Sequence, residues 1–573
     1  MLPLVQGKTS RAPSEILETP GLASPAIARE LEIAIERHRS GDLEKAAAIY
    51  RKILKRDPRN VEALDLFGLA TLRLGHAARA TQLFAKAVAL APGNAFTRLH
   101  LGDALAGAGE FEKAAEAFRT ALEIEPQSLA ALASLGNALK SLRQFDEAIA
   151  CYRRVVEFAP HSAEAQSNLG LALKEAGKIE DALSCLRHAV ALAPHHPEIQ
   201  FNFGNVLLAG ARFDEAEAAY ADALTLNPQH ARAWCNRGVA LRELGRGDDA
   251  AAVLRKALDL APEWADAHWN LGLALLMQGR FEEGWREYEW RRKISGFAMR
   301  QIPGKAWDGA ALRGRTLLVH AEQGLGDAIQ FARYLRVASN LGGTVKFLCP
   351  PSLLHLFSQS SLCDAVSAEA PSHFDVQAPL MSLPHLIDPK LERAASLVPY
   401  LKPDAKLVDY WGERLRAKPG FRVGISWQGN PAYRADRLRS IPLHFFLPLA
   451  LVSNVRLISL QKGAVLPKDS GIGDLGPELD EKSGGFMDSE AAMHSLDLVI
   501  TSDTAIAHLA GALGVETWLA LAQAPDWRWG RNGETCPWYP TMRLFRQRAA
   551  GDWAAVFEHI GGELAARAGV GSR

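Results

Sequence analysis

Cysteine is scarce in this 573-residue sequence. The six present, Cys151, Cys185, Cys235, Cys349, Cys363 and Cys536, include no C-x-x-C pair. That spacing leaves no zinc ribbon and no thioredoxin-like redox motif. Thiols this sparse fit a reducing compartment. An excess of either charge is also missing: 65 basic residues meet 65 acidic ones. Nucleic acid or an anionic membrane therefore has no electrostatic claim as main partner. No apolar run approaches the ~18 residues needed to span a bilayer, so no integral membrane segment is expected. Residues 1–25 lack the basic start and apolar run of a signal peptide. A flexible tail over 1–26 and a cytoplasmic location are the expectation. No D-x-D lies at a strand end of the second half and no His pair has ligand spacing, so neither a metal nor a resident cofactor is expected.

What is abundant is repetition. Prolines stand at 58, 92, 126, 160, 194, 228 and 262, and glycines at 68, 102, 136, 170, 204, 238 and 272, all with a 34-residue period. Small residues recur at Ala46, Ala80, Ala114, Ala148, Ala182, Ala216, Ala250 and Gly284. Large ones follow at Tyr50, Phe84, Phe118, Tyr152, Leu186, Tyr220, Leu254 and Tyr288. Small residues let two antiparallel helices approach, a large apolar one fills the gap, and the proline stops the second helix. Gly41, Gly75, Gly109, Gly177, Gly245 and Gly279 take the turn within each pair, with Arg143 and Ala211 standing in for glycine in two repeats. The pattern resembles the tetratricopeptide repeat (TPR) family over residues 27–292, about eight repeats. The resemblance implies a superhelix whose concave face binds a protein or peptide.

Asn168, Asn202, Asn236 and Asn270 share one repeat position. A similar asparagine ladder grips acceptor main chain in eukaryotic protein O-GlcNAc transferases. One amide both donates and accepts, as a peptide unit requires. The competing reading is plain TPR consensus.

After residue 292 the period stops, and 293–312 reads as a linker. Strand-like and helix-like segments then alternate. Strands are expected at Thr316–His320, Thr344–Cys349, Arg422–Trp427, Val455–Leu460 and Asp497–Thr501, with a helix over Ala328–Leu341. The fold class expected is α plus α/β: TPR repeats followed by a two-lobed GT-B unit of Rossmann-like halves, 313–415 and 416–573. The stretches HAEQGLGDAIQFARYL, GISWQGNP, FMDSEAAM, DLVITSDTAIAHLAGAL, APDWRWG and WYPTMRLFRQ resemble bacterial TPR-linked glycosyltransferases with a heptosyltransferase-like catalytic domain. Some members of that group modify flagellin. The resemblance implies sugar transfer from a nucleotide sugar to a Ser or Thr of a protein, metal-independent and inverting. Two alternatives stay open: a TPR adaptor with an inactive GT-B domain, and a transferase acting on a glycan.

The candidate donor residues are Gly324, Gly326, Gln428, Gly429, Asn430, Arg437, Arg439, Gln461, Ser502, Asp503, Thr504, Ala505 and His508. Ser502, Asp503, Thr504 and Ala505 open a helix, whose free N–H groups suit an anion. His508 follows one turn on. Arg434, Arg437 and Arg439 offer guanidinium forks for phosphate, with Arg437 and Arg439 favoured. Gln461 and Lys462 end the second strand of that lobe, where base or ribose is expected. Asp327 is the candidate general base, with Glu322 and His320 in reserve; helix capping is the competing role for Asp327. Trp527, Arg528 and Trp529 form an aromatic-cationic cluster; the tryptophan faces suit a sugar or a nucleobase as well as lobe packing, with packing favoured for at least one of the two.

Overall fold

The structure, a computed structural model, describes residues 25–570 except 295, 298–299, 301, 393 and 431–435; of 394, 395, 437, 438 and 570 it describes the backbone alone. The tail expected over 1–26 therefore lies almost wholly outside the described residues.

Sixteen α-helices fill the chain from Pro25 to Tyr288 among the described residues. Second helices start at Leu43, Ala77, Phe111, Phe145, Ile179, Phe213, Gly247 and Phe281, each 34 residues after the last. First helices of 13 residues start at Val61, Ala95, Leu129, Ala163, Pro197, Ala231 and Ala265. Five described first helices open on a side-chain cap: Asn60, Asn94, Ser128, Ser162 and His230 accept from the N–H of Ala63, Thr97, Ala131, Ala165 and Ala233. Each such cap stabilises its helix by about 1 kcal/mol.

The periodic glycines are sites of close approach. A Cβ built on Gly102 would lie 2.4 Å from the Phe118 ring. Arg143 and Ala211 adopt the left-handed turn conformation of the glycines they replace, with φ of 61° and 58°. That conformation costs a residue with a Cβ roughly 1–2 kcal/mol.

By internal packing the chain divides into two compact units, 1–211 and 212–573. The packing division falls inside the repeats rather than at their end: the last helix pairs pack as one body with the α/β region. Leu276, Trp285 and Tyr288 share a continuous core with Leu317, Phe331, Trp527 and Trp538. Trp285 meets Phe331 and Trp527 edge-on at centroid distances of 6.1 and 5.3 Å. The linker expected at 293–312 is corrected. Its Trp307 is buried, and its backbone pairs with a strand neighbour: Trp307 N donates to Gln377 O at 2.8 Å and Gln377 N to Lys305 O at 2.9 Å.

Two parallel sheets follow. The first contains β1 (Thr316–His320), β2 (Thr344–Leu348), β3 (Ala365–Ser367) and β4 (Val376–Pro379), in the order β3-β2-β1-β4. The second contains β5 (Phe421–Ser426), β6 (Val455–Ser459), β7 (Ile472–Asp474), β8 (Leu498–Thr501), β9 (Thr517–Leu521) and β10 (Met542–Arg546), in the order β10-β9-β8-β5-β6-β7. The five expected strands are present to within a residue or two at their ends; β3, β4, β7, β9 and β10 are additional.

The helix expected at Ala328–Leu341 instead comprises Leu325–Phe331 and Arg333–Ser339. It starts earlier because Asp327 Oδ2 accepts from Gly324 N at 2.8 Å. The boundary expected at 415/416 cuts the last turn of the helix Ala405–Arg416. That helix packs on the helix Met487–Met493, with Trp411 Nε1 donating to Asp488 Oδ1 at 2.9 Å. Among the described residues no helix is long and apolar enough to cross a membrane.

Candidate functional site

In the second sheet the chain builds outward through β5, β6 and β7, then returns to place β8 on the other side of β5. Such a reversal leaves a crevice beyond the carboxyl ends of the two central strands. Trp427 to Asn430 leave β5 there, and Ser502 to Thr504 leave β8, joined by Ser502 N donating to Ser426 O at 3.0 Å. Thr504 caps the nine-residue helix Ala505–Leu513 without a side-chain hydrogen bond. Ser502 is fully buried and Thr504 nearly so, and neither hydroxyl has a partner among the described residues. A buried polar atom left unpaired costs about 1–3 kcal/mol. Two of them beside free helix N–H groups make a cradle suited to an anion.

The residues around this crevice behave unequally. Gln461 lines the crevice as structural support: its Oε1 accepts from Ser426 Oγ, Trp427 N and Gln428 N at 3.1, 3.3 and 3.0 Å. Its Oε1 is thus committed to bracing the β5 loop, beside the place where base or ribose is expected. Lys462 turns to Asp480 O and Glu481 instead. Gly429 is needed for space, since a Cβ there would lie 2.3 Å from Asp436 Oδ1. Its N–H donates to Ser440 Oγ at 3.2 Å, and Asn430 continues the loop. Arg439 lies 3.5 Å from Asp436, and its charge reaches Asp503. Arg434 and the side chain of Arg437 lie outside the described residues.

Asp503 is pushed up to about 6, by burial first and the negative Asp526 second, against the pull of Arg439 and Arg528. His508 departs further from expectation. It is buried, its Nδ1 lies 3.0 Å from Tyr539 Oη, and its ring stacks on Trp529 at 5.2 Å. Burial, then the charges of Arg528, Arg333 and Arg439, hold its pKa well below the ordinary histidine value. Its imidazole is thus neutral and enclosed, held between Tyr539 and Trp529. Gly326 serves this packing, because a Cβ there would come within 2.9 Å of His508 Cδ2. Gly324 acts through its N–H, which is spent on Asp327. Gly326 thus shapes the approach of two helices, and the Gly324 N–H serves Asp327 rather than a phosphate.

Asp327 is engaged at both oxygens. Oδ2 caps Gly324, and Oδ1 pairs with Arg528 Nη2. Burial raises its pKa while Arg528 lowers it. The reserve bases are engaged too. Glu322 accepts from Arg291 and from Met381 N, and His320 Nε2 meets Gln377 Oε1 at 3.0 Å.

Arg528, given no role of its own by the sequence, is the polar centre of the region. Nε donates to Gln330 Oε1 at 2.7 Å, Nη1 to Asp526 Oδ1 at 2.8 Å, and Nη2 to Asp327. One arginine thus ties the helix after β1 to the segment after β9. The signal that could have found it is Asp526, two residues upstream, which caps the turn Trp527–Trp529.

The four asparagines sit half-buried on first helices. Asn202 Nδ2 donates to Ser167 Oγ at 3.1 Å, and Asn236 bonds the Tyr220 hydroxyl. Asn270 Nδ2 donates to Asp266 O at 2.8 Å and its Oδ1 accepts from Arg242 Nη1 at 3.0 Å. His100 and Ser134, at the same repeat position, likewise meet Asp65 and Asp103 of the preceding repeat. The position therefore stitches helices together. For Asn270 this corrects the expectation of an amide free to hold acceptor main chain.

The tetratricopeptide-repeat family matches residues 31–95, 105–170, 161–229, 201–263 and 244–288. Protein FlbA of Caulobacter vibrioides is 29% identical over 312 residues, covering 49% of this chain and 52% of FlbA. The chain thus spans about half the length of that curated relative. Among solved structures, the APC/C hetero-tetramer Cut9–Hcn1 is similar at 22% identity over 48% of this chain and 53% of the other, with TM-score 0.36. YrrB, a TPR protein with an unusual peptide-binding site, is similar at 26% identity over 33% of this chain and 96% of its own, with TM-score 0.27. A TPR protein of Parabacteroides merdae is similar at 18% identity over 44% of this chain and 100% of its own, with TM-score 0.39. The N-terminal region of this chain is built of tetratricopeptide repeats, and a region of parallel sheets and helices follows them.

Proposed function

We propose that the chain is a metal-independent, inverting glycosyltransferase of GT-B type, taking a nucleotide-sugar donor and a Ser or Thr hydroxyl of a protein, flagellin among the candidates, presented by the repeats. The observation that carries this reading is a pair of hydroxyls without a partner among the described residues, Ser502 Oγ and Thr504 Oγ1, buried at a helix start in the crevice between β5 and β8. A donor diphosphate supplies the acceptor oxygens those groups lack, and Arg439 adds charge beside it. Asp503 contributes a carboxyl able to bond a sugar hydroxyl. In the transfer step the acceptor oxygen forms a bond to the anomeric carbon, the bond from that carbon to the diphosphate breaks, and Asp327 takes the acceptor proton. The nucleoside diphosphate leaves with the bonding pair.

A second reading, a TPR adaptor whose α/β region binds without turnover, is favoured by the engagement of both Asp327 oxygens. Incubation of the full chain with UDP-, ADP-, GDP- and CMP-linked sugars separates the two. Nucleotide release and a sugar on Ser or Thr in glycopeptide mass spectra are expected. Binding of a nucleotide sugar without turnover would leave the adaptor reading, and transfer to a free glycan would change the acceptor class.

A further inference from the structure

We infer that Arg528 serves two anions in turn: it holds Asp327 in the resting protein and passes to the diphosphate of an incoming donor, which frees the Asp327 carboxylate. The inference rests on the donor-site reading above and adds to it a positioning residue and an order of events.

Three observations converge on it. First, Arg528 bonds Asp327 and Gln330 on one side and Asp526 on the other, so its head group lies where the two sheets' helical segments meet. Second, the opening to solvent is at the acids. The Arg528 side chain is 8% exposed, against 19% for Asp327 and 37% for Asp526. The two acids that hold the guanidinium are therefore more open to solvent than the guanidinium itself. Third, Arg528 stands beside the cradle itself. It bonds Asp327, and a Cβ on the neighbouring Gly326 would lie 3.6 Å from the Cα of Ala505, the first residue of the helix Ala505–Leu513. An anion bonded to Ser502 and Thr504 therefore lies within the field of Arg528 as well as Arg439.

A phosphate and a carboxylate compete for one guanidinium fork on nearly equal geometric terms. The phosphate carries more charge and adds the hydroxyls and helix N–H groups, so it wins the contest when the donor binds. Asp327 then keeps only its bond from Gly324 N and gains a free oxygen for the acceptor proton. No covalent change is needed until the acceptor arrives.

The test is isothermal titration of the full chain with inorganic pyrophosphate and with UDP, ADP and GDP. Asp327→Asn removes the competing charge but keeps an acceptor for Gly324 N. It should tighten binding of pyrophosphate, and of the nucleotide the wild type prefers, by about fivefold or more, while Arg528→Gln should weaken both by about tenfold or more. The double variant should bind no better than Arg528→Gln alone, because the gain from Asp327→Asn acts through Arg528. Arg528→Lys keeps the charge without the fork and should fall between. Equal or weaker binding by a folded Asp327→Asn overturns the handover and leaves the Asp327–Arg528 pair as a clamp between sheets. Absence of binding by the wild type to every probe overturns the donor-site reading itself.

Discussion

Arg291, in the 3-10 turn Glu289–Lys293 that closes the last repeat, donates from Nη2 to Glu322 Oε1 across 2.6 Å, and neither side chain touches solvent. Nη2 also donates to Ser382 Oγ, Nε to Glu322 Oε2, and Nη1 to Glu289 Oε1 and Tyr288 O, and the guanidinium lies over the Tyr288 ring. Glu322 stands two residues beyond β1. The end of the repeat array is thereby keyed by a buried ion pair into the carboxyl edge of the first sheet. Removing one partner of such a pair leaves an uncompensated buried charge, which costs about 3–5 kcal/mol. Arg291→Ala should lower stability by that amount in chemical denaturation. A fragment starting at Arg313 should fail to unfold cooperatively, since it also loses Trp285 and Tyr288 from the core. A cooperative, stable 313–573 fragment would show the last repeat to be dispensable.

Ser502→Ala and Thr504→Ala should separate stability from binding. Each removes a buried hydroxyl without a partner among the described residues, so together they should raise the stability of the ligand-free protein by about 1 kcal/mol. The same pair should abolish the melting-temperature rise produced by the preferred nucleotide. An unchanged ligand-induced rise would remove the hydroxyls from the donor site.

Glu490 gives a pH dependence. It is fully buried on the helix Met487–Met493, with Oε2 accepting from Gln359 Nε2 at 3.3 Å and Oε1 without a partner among the described residues. Burial above all pushes its carboxyl up to about 8; Asp480 and Asp404 push it the same way, against the Gln359 bond. The folded protein then holds a proton that the unfolded chain releases near pH 4.3. Stability falls as pH rises between that value and about 8, by about 1.4 kcal/mol per pH unit at most. Glu490→Gln should leave stability at pH 4 nearly unchanged and raise it at pH 8. Denaturation midpoints that stay parallel across that range in both proteins would refute the assignment.

The asparagine position should report on the array more than on a ligand. Asn270→Ala removes the bonds to Asp266 O and Arg242, a loss of about 0.5–1.5 kcal/mol each. A drop in array stability with an unchanged acceptor KM is the expected result for this residue. A raised KM at unchanged stability would return it to the acceptor groove.

Legibility followed contact range. The 34-residue period specifies the helix pairs because each helix packs on its neighbours in sequence, so a local pattern of small, large and helix-stopping residues carries the necessary information. Strands β1, β2, β5, β6 and β8 were equally readable as short apolar runs. β3 and β7 are three residues long, and β4 carries Gln377 and Pro379, too little for a period to register. The crevice residues on either side of the β5–β8 reversal could also be named from the sequence, since they follow apolar strands directly.

The sequence by itself thus determined the repeat array, the change to α/β after it, and the chain segments that line the crevice. Only the tertiary structure decided what each polar group does there. Arg528 finds Asp327 across 201 residues, Arg333 donates to Trp538 O across 205, and Arg291 reaches Ser382 across 91. No window of sequence encodes such pairings, because burial makes a side chain take whatever partner the packed core brings within reach. The same physics enclosed His508 against Tyr539 and Trp529, made Gln461 a brace, and joined the last repeats to the sheets rather than to a free linker.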